Sequence, residues 1–268
     1  MSLCNMKGLF PISRILSLFA LVALVWGGCT TVSETGRSQL NFLSDDQANS
    51  MGLTSFNQMK SEVPISTNPQ HNDLVARVGQ RIASVVDLPG AQWEFVVFDS
   101  EQANAFCLPG GKVGVYTGIL PITQTEEGLA VVIGHEVAHA VARHGAERVS
   151  SQMALQGVGA AVGFALRNKS AATQQAATLA YGLGSQVGVA LPHSRSQESE
   201  ADYMGLLYMA RAGYDPGEAP RFWQRFSDFN MQQGGGQTPW FLRTHPLDQQ
   251  RIEKINSWLP EARAQMSR

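Results

Sequence analysis

Five consecutive residues, His135-Glu136-Val137-Ala138-His139, constrain this chain more than any other stretch. They sit in an apolar run, Leu129 to Gly134 before and Ala140 to Ala142 after, whose small aliphatic side chains suit a buried helix. An α-helix turns once in about 3.6 residues, so histidines four apart lie about 40° from each other on one face. Two imidazoles side by side supply half of a tetrahedral zinc site. Glu136, one residue round, reaches a water at the metal rather than the metal itself, and a carboxylate in that position suits peptide hydrolysis. A core helix seldom buries two histidines and a glutamate idly, because unpaired buried polar groups are costly.

The 268 residues, 44 % hydrophobic and 16 % charged, suffice for one sizeable domain. A net charge of −2 with no basic block excludes nucleic acid as an expected partner. Cysteines at positions 4, 29 and 107 do not form a disulfide framework, and Cys107 reads as a small core residue. Near the start, Lys7 and Arg14 precede an uncharged, mostly apolar stretch from Ile15 to Trp26, too short for a membrane span of about 20 residues. Gly27-Gly28-Cys29 comes next and resembles a bacterial lipobox. The expected organisation is a lipoprotein signal peptide over 1–28, a flexible tether over 29–44 and a zinc metallopeptidase domain over 45–268. Cys29 is then the lipidated residue that joins the protein to a membrane. With Thr30 after it, the expected location is the periplasmic face of the outer membrane.

The body reads as α+β, mainly helical, with a small β-hairpin beside the His135–His139 helix. Helices are expected from Asp45 to about Lys60 and from His71 to Val86. Gln92 to Phe98 reads as a strand, and Asn104–Leu108 with Lys112–Thr117 as a hairpin closed by Pro109-Gly110-Gly111. Asn104, Ala105 and Phe106 are the candidate edge that holds an extended substrate by backbone hydrogen bonds. Thr123-x-x-Glu126 is a capping-box pattern expected to start the His135 helix, which is expected to run to about His144. His144 lies about 140° round from His139, and is expected to face away. Ser150 to Leu191 is rich in Ala, Gly and Gln. It reads either as a mobile helical hairpin that covers the cleft and brushes a membrane or as two plainly packed helices, with a 14-residue apolar piece from Met153 to Leu166 that is too short to span a bilayer.

Zinc needs a third protein ligand. Ser194-Arg195-Ser196-Gln197-Glu198-Ser199-Glu200-Ala201-Asp202 places Glu198 and Asp202 on one helical face. Glu198 suits the metal and Asp202 suits a ligating imidazole, while Glu200, about 200° round from Glu198, is expected to point elsewhere. The His-Glu-Val-Ala-His motif, the Ser-Arg-x-x-Glu-x-x-Ala-Asp element and the Asn-Ala-Phe-x-x-Pro-Gly-Gly hairpin together resemble the HtpX and CAAX prenyl protease family of zinc metalloendopeptidases, of gluzincin type, and in particular its soluble, lipid-anchored periplasmic bacterial members. The resemblance implies a zincin-like fold and one Zn2+ per chain on His135, His139 and Glu198. It assigns Glu136 as general base and Asp202 as the residue behind the ligands.

It further implies misfolded or unassembled cell-envelope proteins as substrates, with the outer-membrane assembly machinery among the partners to consider. His193 replaces the aromatic residue usual before the Ser-Arg pair. His245-Pro246 has a plain reading as a helix start. In the family a histidine at this place approaches the metal, as an oxyanion stabiliser or as a plug, and the Gly-rich stretch Gln232 to Pro239 leaves it free to move. A zinc-binding chaperone with latent protease activity is the alternative function. After Arg268 no helical repeat domain is present, so no separate recruiting module is expected.

Overall fold

A computed structural model describes residues 28–185, 191–232, 239–247 and 249–266, with no side-chain detail for Leu183 and residues 191–193. The expected signal-peptide stretch, apart from Gly28, lies outside these residues. So do most of the glycine-rich stretch before Pro239 and the side chain of His193. Among the described residues, sixteen elements succeed one another. First comes a short hairpin, β1 (Cys29–Thr31) and β2 (Ser38–Leu40), then helices α1 (Asp45–Glu62) and α2 (Pro69–Ala83). Strands β3 (Glu94–Phe98), β4 (Ala105–Leu108) and β5 (Lys112–Tyr116) lead through a 3-10 turn (Thr117–Ile119) into α3 (Leu120–Thr123). The remaining helices are α4 (Glu126–Val141), α5 (His144–Leu166), α6 (Ala171–Ser185), α7 (Leu191–Arg211), α8 (Glu218–Gln232), α9 (Trp240–Thr244) and α10 (Gln249–Gln265). The molecule is thus mainly helical with small sheets, as its periodicities predict.

Local chemistry explains most boundaries. Ser44 and Gln47 form a complete capping box ahead of α1. Asn68 caps α2, and Pro69 occupies a first-turn position where no amide is needed. Val75, Val78 and Ile82 then bury one face of α2. In the main sheet the order is β3-β5-β4: β5 is central, parallel to β3 and antiparallel to β4. All five residues of β5 are buried, while β4 forms an edge. The tight β4–β5 turn uses positive φ at Gly110 and Gly111, +82° and +77°, which glycine adopts without steric cost. On the far face, Phe56, Phe98, Phe106 and Tyr116 pack as a separate aromatic cluster.

Helix α4 runs through the core, buried from Gly128 to Ala140. It packs against α7 where two glycines meet. A Cβ at Gly205 would come within 2.9 Å of the His135 amide nitrogen, and one at Gly134 within 3.0 Å of the Gly205 carbonyl. That contact brings the first half of α7 across the two histidines.

Four expectations change. Residues 29–44 are not a free tether: β1 and β2 pair antiparallel, Cys29 with Leu40, and Arg37 between them is fixed to Glu147 and Glu200. Thr123 does not cap α4, because its hydroxyl closes the last turn of α3 by donating to the Leu120 carbonyl. The chain then reverses at Gln124 (φ 61°), and Thr125 is the cap, its hydroxyl accepting from the Gly128 amide at 3.0 Å. Helix α4 stops at Val141 rather than 144. Arg143 takes a left-handed conformation (φ 57°) and is held there by the Leu43 carbonyl at 2.7 Å and by Asp45 at 3.2 Å. Lastly, the apolar helix after it is longer than the expected 14 residues: α5 has 23 and carries an 18-residue window apolar enough to cross a membrane, only 6 % of it buried.

Candidate metal centre

Four donors from three segments converge at one point. His135 and His139 come from consecutive turns of α4, Glu198 from α7, and His245 from the residue that ends α9. Their ligand atoms all lie within 4.8 Å of one another. His135 Nε2 is 3.0 Å from His139 Nε2 and 3.1 Å from His245 Nδ1. The Glu198 carboxylate is 3.3 Å from each α4 imidazole and 3.0 Å from His245 Nδ1. Donors about 2.0–2.1 Å from a tetrahedral zinc lie about 3.3 Å apart, so the 3.0–3.3 Å separations around His135 and Glu198 fit that ion.

Electrostatics point the same way. Burial would raise the Glu198 carboxylate, but the three imidazoles around it hold it far below the usual carboxylate range. Burial lowers the His135 pKa, yet Asp202 and Glu198 outweigh it and lift the group to about 9. For His139 burial dominates and pushes the pKa well down.

Each α4 histidine is braced from behind. Asp202 Oδ1 lies 3.1 Å from His135 Nδ1, and Arg251 grips Asp202 with two bonds of 2.8 Å. Arg251 also reaches Glu198 at 3.2 Å and packs over the Trp223 ring. On the other side, His139 Nδ1 is 2.7 Å from His144 Nδ1, and His144 Nε2 is 2.9 Å from Glu200. Glu200 in turn meets Arg37 at 2.6 Å and the Thr35 hydroxyl. Arg37 holds Glu147 as well, at 2.7 and 2.9 Å.

The expectation that His144 and Glu200 point elsewhere is therefore corrected. The break at Arg143 swings His144 behind His139, and Glu200 meets it there. Arg37 and Arg251 had no expected role from the sequence, while His144 and Glu200 entered it only as residues facing away from the site. The only sequence signal for them was two carboxylates, Glu198 and Glu200, spaced to serve opposite flanks of α7.

Glu136 is buried beside the cluster. Its Oε1 makes no hydrogen bond among the described residues and lies 3.3 Å from His245 Nε2. Burial pushes its pKa up, and the His245 and His135 charges pull against that. Glu136, His139 and His245 floor a cleft of about 870 Å³ whose wall includes Asn104, Ala105 and Phe106. Strand β4 pairs with β5 along one edge only. Phe106 turns its ring into the aromatic cluster, which leaves its backbone for the cleft. Cys107 is half-buried, and burial pushes its thiol pKa up, which makes it a packing residue rather than a reactive thiol.

Residues 69–259 match peptidase family M48. The chain is 37 % identical over 231 residues to "Mitochondrial metalloendopeptidase OMA1" of Schizosaccharomyces pombe, an alignment covering 85 % of this chain and 66 % of that protein. It is 31 % identical over 265 residues to the protein of the same name in Saccharomyces cerevisiae, covering 90 % and 74 %. The "Beta-barrel assembly-enhancing protease" of Yersinia pestis is 27 % identical over 253 residues, covering 90 % of this chain and 51 % of the relative. The expected likeness to HtpX and CAAX prenyl proteases thus holds at the level of the wider family, since these relatives carry other names. The expected periplasmic, outer-membrane location is overturned by the same comparison: relatives from two yeasts, and others from plant and vertebrates, are named mitochondrial. With a match over most of its length and a cluster of donors that could hold a metal ion, this chain belongs to peptidase family M48, a family of metallopeptidases.

Proposed function

We propose that the chain is a zinc-dependent endopeptidase that cuts extended segments of unfolded or misassembled proteins. The observation that carries the reading is the placement of Glu136, buried and lacking a hydrogen bond at one oxygen, beside four converging donors at the floor of a cleft. His135, His139 and Glu198 would hold the metal, with Asp202 and Arg251 fixing the first of them. Zinc bound there would polarise a peptide carbonyl and make a water acidic enough to attack at neutral pH. Glu136, buried beside the donors with one oxygen lacking a hydrogen bond, would serve as the base that takes a proton from the attacking water and returns it to the departing amine. The free edge of β4 lies along the cleft, where main-chain groups can pair with an extended peptide of varied sequence. The Yersinia pestis relative is named a protease that enhances β-barrel assembly, which supports a role connected with protein assembly.

The test is zinc content and peptide cleavage for wild type beside Glu136→Gln. The variant is expected to keep its zinc and lose activity by about 10²–10⁴-fold, the usual contribution of a general base. Unchanged cleavage would remove Glu136 from the reaction.

A second reading keeps the metal site but makes the proteolysis latent, with the chain serving chiefly as a chaperone. It is favoured by His245, whose Nδ1 takes the fourth donor position and whose Nε2 faces Glu136. On this reading His245→Ala raises peptide cleavage well above wild type. Equal or lower activity in the variant would instead make His245 a helper in the reaction.

A further inference from the structure

We infer that the α5–α6 hairpin seats flat on a lipid bilayer with anionic headgroups. After its first turns α5 leaves the body: His144, Ala146, Glu147 and Ser150 are buried, and most of its later residues are exposed. The exposed side chains include Met153 (51 %), Val158 (47 %), Phe164 (68 %) and Leu179 (65 %). Helices that face water normally carry charges on that side. Here no acidic residue occurs from Arg148 to Gln197, and the only charged side chains between Arg148 and Arg195 are Arg167 and Lys169. Both are cations, and both sit at the turn between the helices, where Arg167 lies over the Phe164 ring at 3.8 Å. The hairpin is held together at mid-length by the Tyr181 hydroxyl, which donates to the Leu155 carbonyl.

Length decides between spanning and lying flat. From Ser151 to Leu166 the free part of α5 extends about 24 Å at 1.5 Å per residue. That falls short of a hydrocarbon core of about 30 Å, and tip-first insertion would bury two cations in it. Lying in the interface, the hairpin sinks its apolar side chains while Arg167 and Lys169 reach headgroup phosphates.

The adjoining sequence agrees. The uncharged stretch from Ile15 to Trp26 leads into Gly28, whose carbonyl accepts from the Asn41 amide at 2.6 Å. The next residue, Phe42, donates its amide to Ser150 Oγ on α5 at 2.8 Å. Gly28 therefore meets the body beside the place where the hairpin leaves it. A second copy of the hairpin fits the same face poorly. It would bring Arg167 and Lys169 towards their own counterparts with no carboxylate on either hairpin to pair with them.

The test places an environment-sensitive NBD fluorophore at Phe164→Cys, at Leu179→Cys, or at the control Gln80→Cys on exposed α2. The background is the full chain with Cys4→Ser and Cys29→Ser, mixed with phosphatidylcholine/phosphatidylglycerol vesicles. The two hairpin probes are expected to shift to shorter wavelength and to be quenched by brominated acyl chains, while the control stays aqueous. Adding Arg167→Glu with Lys169→Glu should cut the vesicle-dependent shift several-fold at equal lipid. Vesicle-bound chain whose hairpin probes remain in water would overturn the inference. So would a shift that appears without vesicles and grows with protein concentration, which would assign the face to a second copy.

Discussion

Which nitrogen of His139 faces the metal position is decided one residue further out. His144 presents Nε2 to the Glu200 carboxylate, so that nitrogen carries the proton and donates it. Its Nδ1 is then an acceptor, and burial keeps the ring neutral by lowering its pKa. His139 Nδ1, 2.7 Å away, must be the donor, which leaves the His139 Nε2 lone pair for a cation. Replacing His144 by Phe keeps the ring volume in a fully buried place and removes both the acceptor for His139 and the donor to Glu200, whose carboxylate keeps Arg37 and Thr35. We expect His144→Phe to fold and to bind zinc about 10–100-fold more weakly, the usual cost of losing such a bracing partner. Competition against a chelating dye measures this directly, and an unchanged affinity would show that His139 is oriented by something else.

At the scale of elements, the α4–α7 contact is what turns two sequence motifs into one site. Gly134 and Gly205 let the helix backbones touch, and a methyl group at Gly205 has only main-chain atoms to push against. Gly205→Ala gains about 1 kcal/mol of helix propensity but forces the helices apart, an overpacking cost of about 1–3 kcal/mol. The expected outcome is a lower melting temperature together with weaker zinc binding, because the shift moves Glu198 relative to His135. Gly163→Ala is the control: nothing lies within 4 Å of its added carbon, so the melting temperature should hold or rise.

The α4–α7 pairing also marks how far the sequence could be read. The spacing of His135, His139, Glu198 and Asp202 exposed the centre, because a helical period places side chains on one face without knowledge of the rest of the fold. The strands and most helix limits were legible from capping and turn residues. What stayed hidden depended on non-local contacts. No helix-breaking residue stands at Arg143, whose left-handed turn rests on Leu43 and Asp45. A polar stretch such as Thr30 to Ser44 reads as a tether until one arginine in it meets two carboxylates more than a hundred residues away.

Across the whole molecule, the metal centre gathers chain segments that otherwise share little. Donors come from α4, α7 and the end of α9, and the residues bracing them run from Arg37 near the beginning to Arg251 near the end. Without a cation the carboxylates of Glu136, Glu198 and Asp202 crowd one buried region, offset by Arg251 and a charged imidazole. A ligand that binds only the folded chain stabilises it by about 4 kcal/mol at a thousandfold excess over its Kd. For a chain of this size each kcal/mol is worth about 2–4 °C in melting temperature. Chelation should therefore lower the wild-type melting temperature by roughly 10 °C, and stoichiometric zinc should restore it. Glu198→Gln, which removes the charged donor but keeps its volume, should melt at nearly the same temperature with and without chelator. If wild type itself ignores the chelator, the converging donors are not a resident metal site.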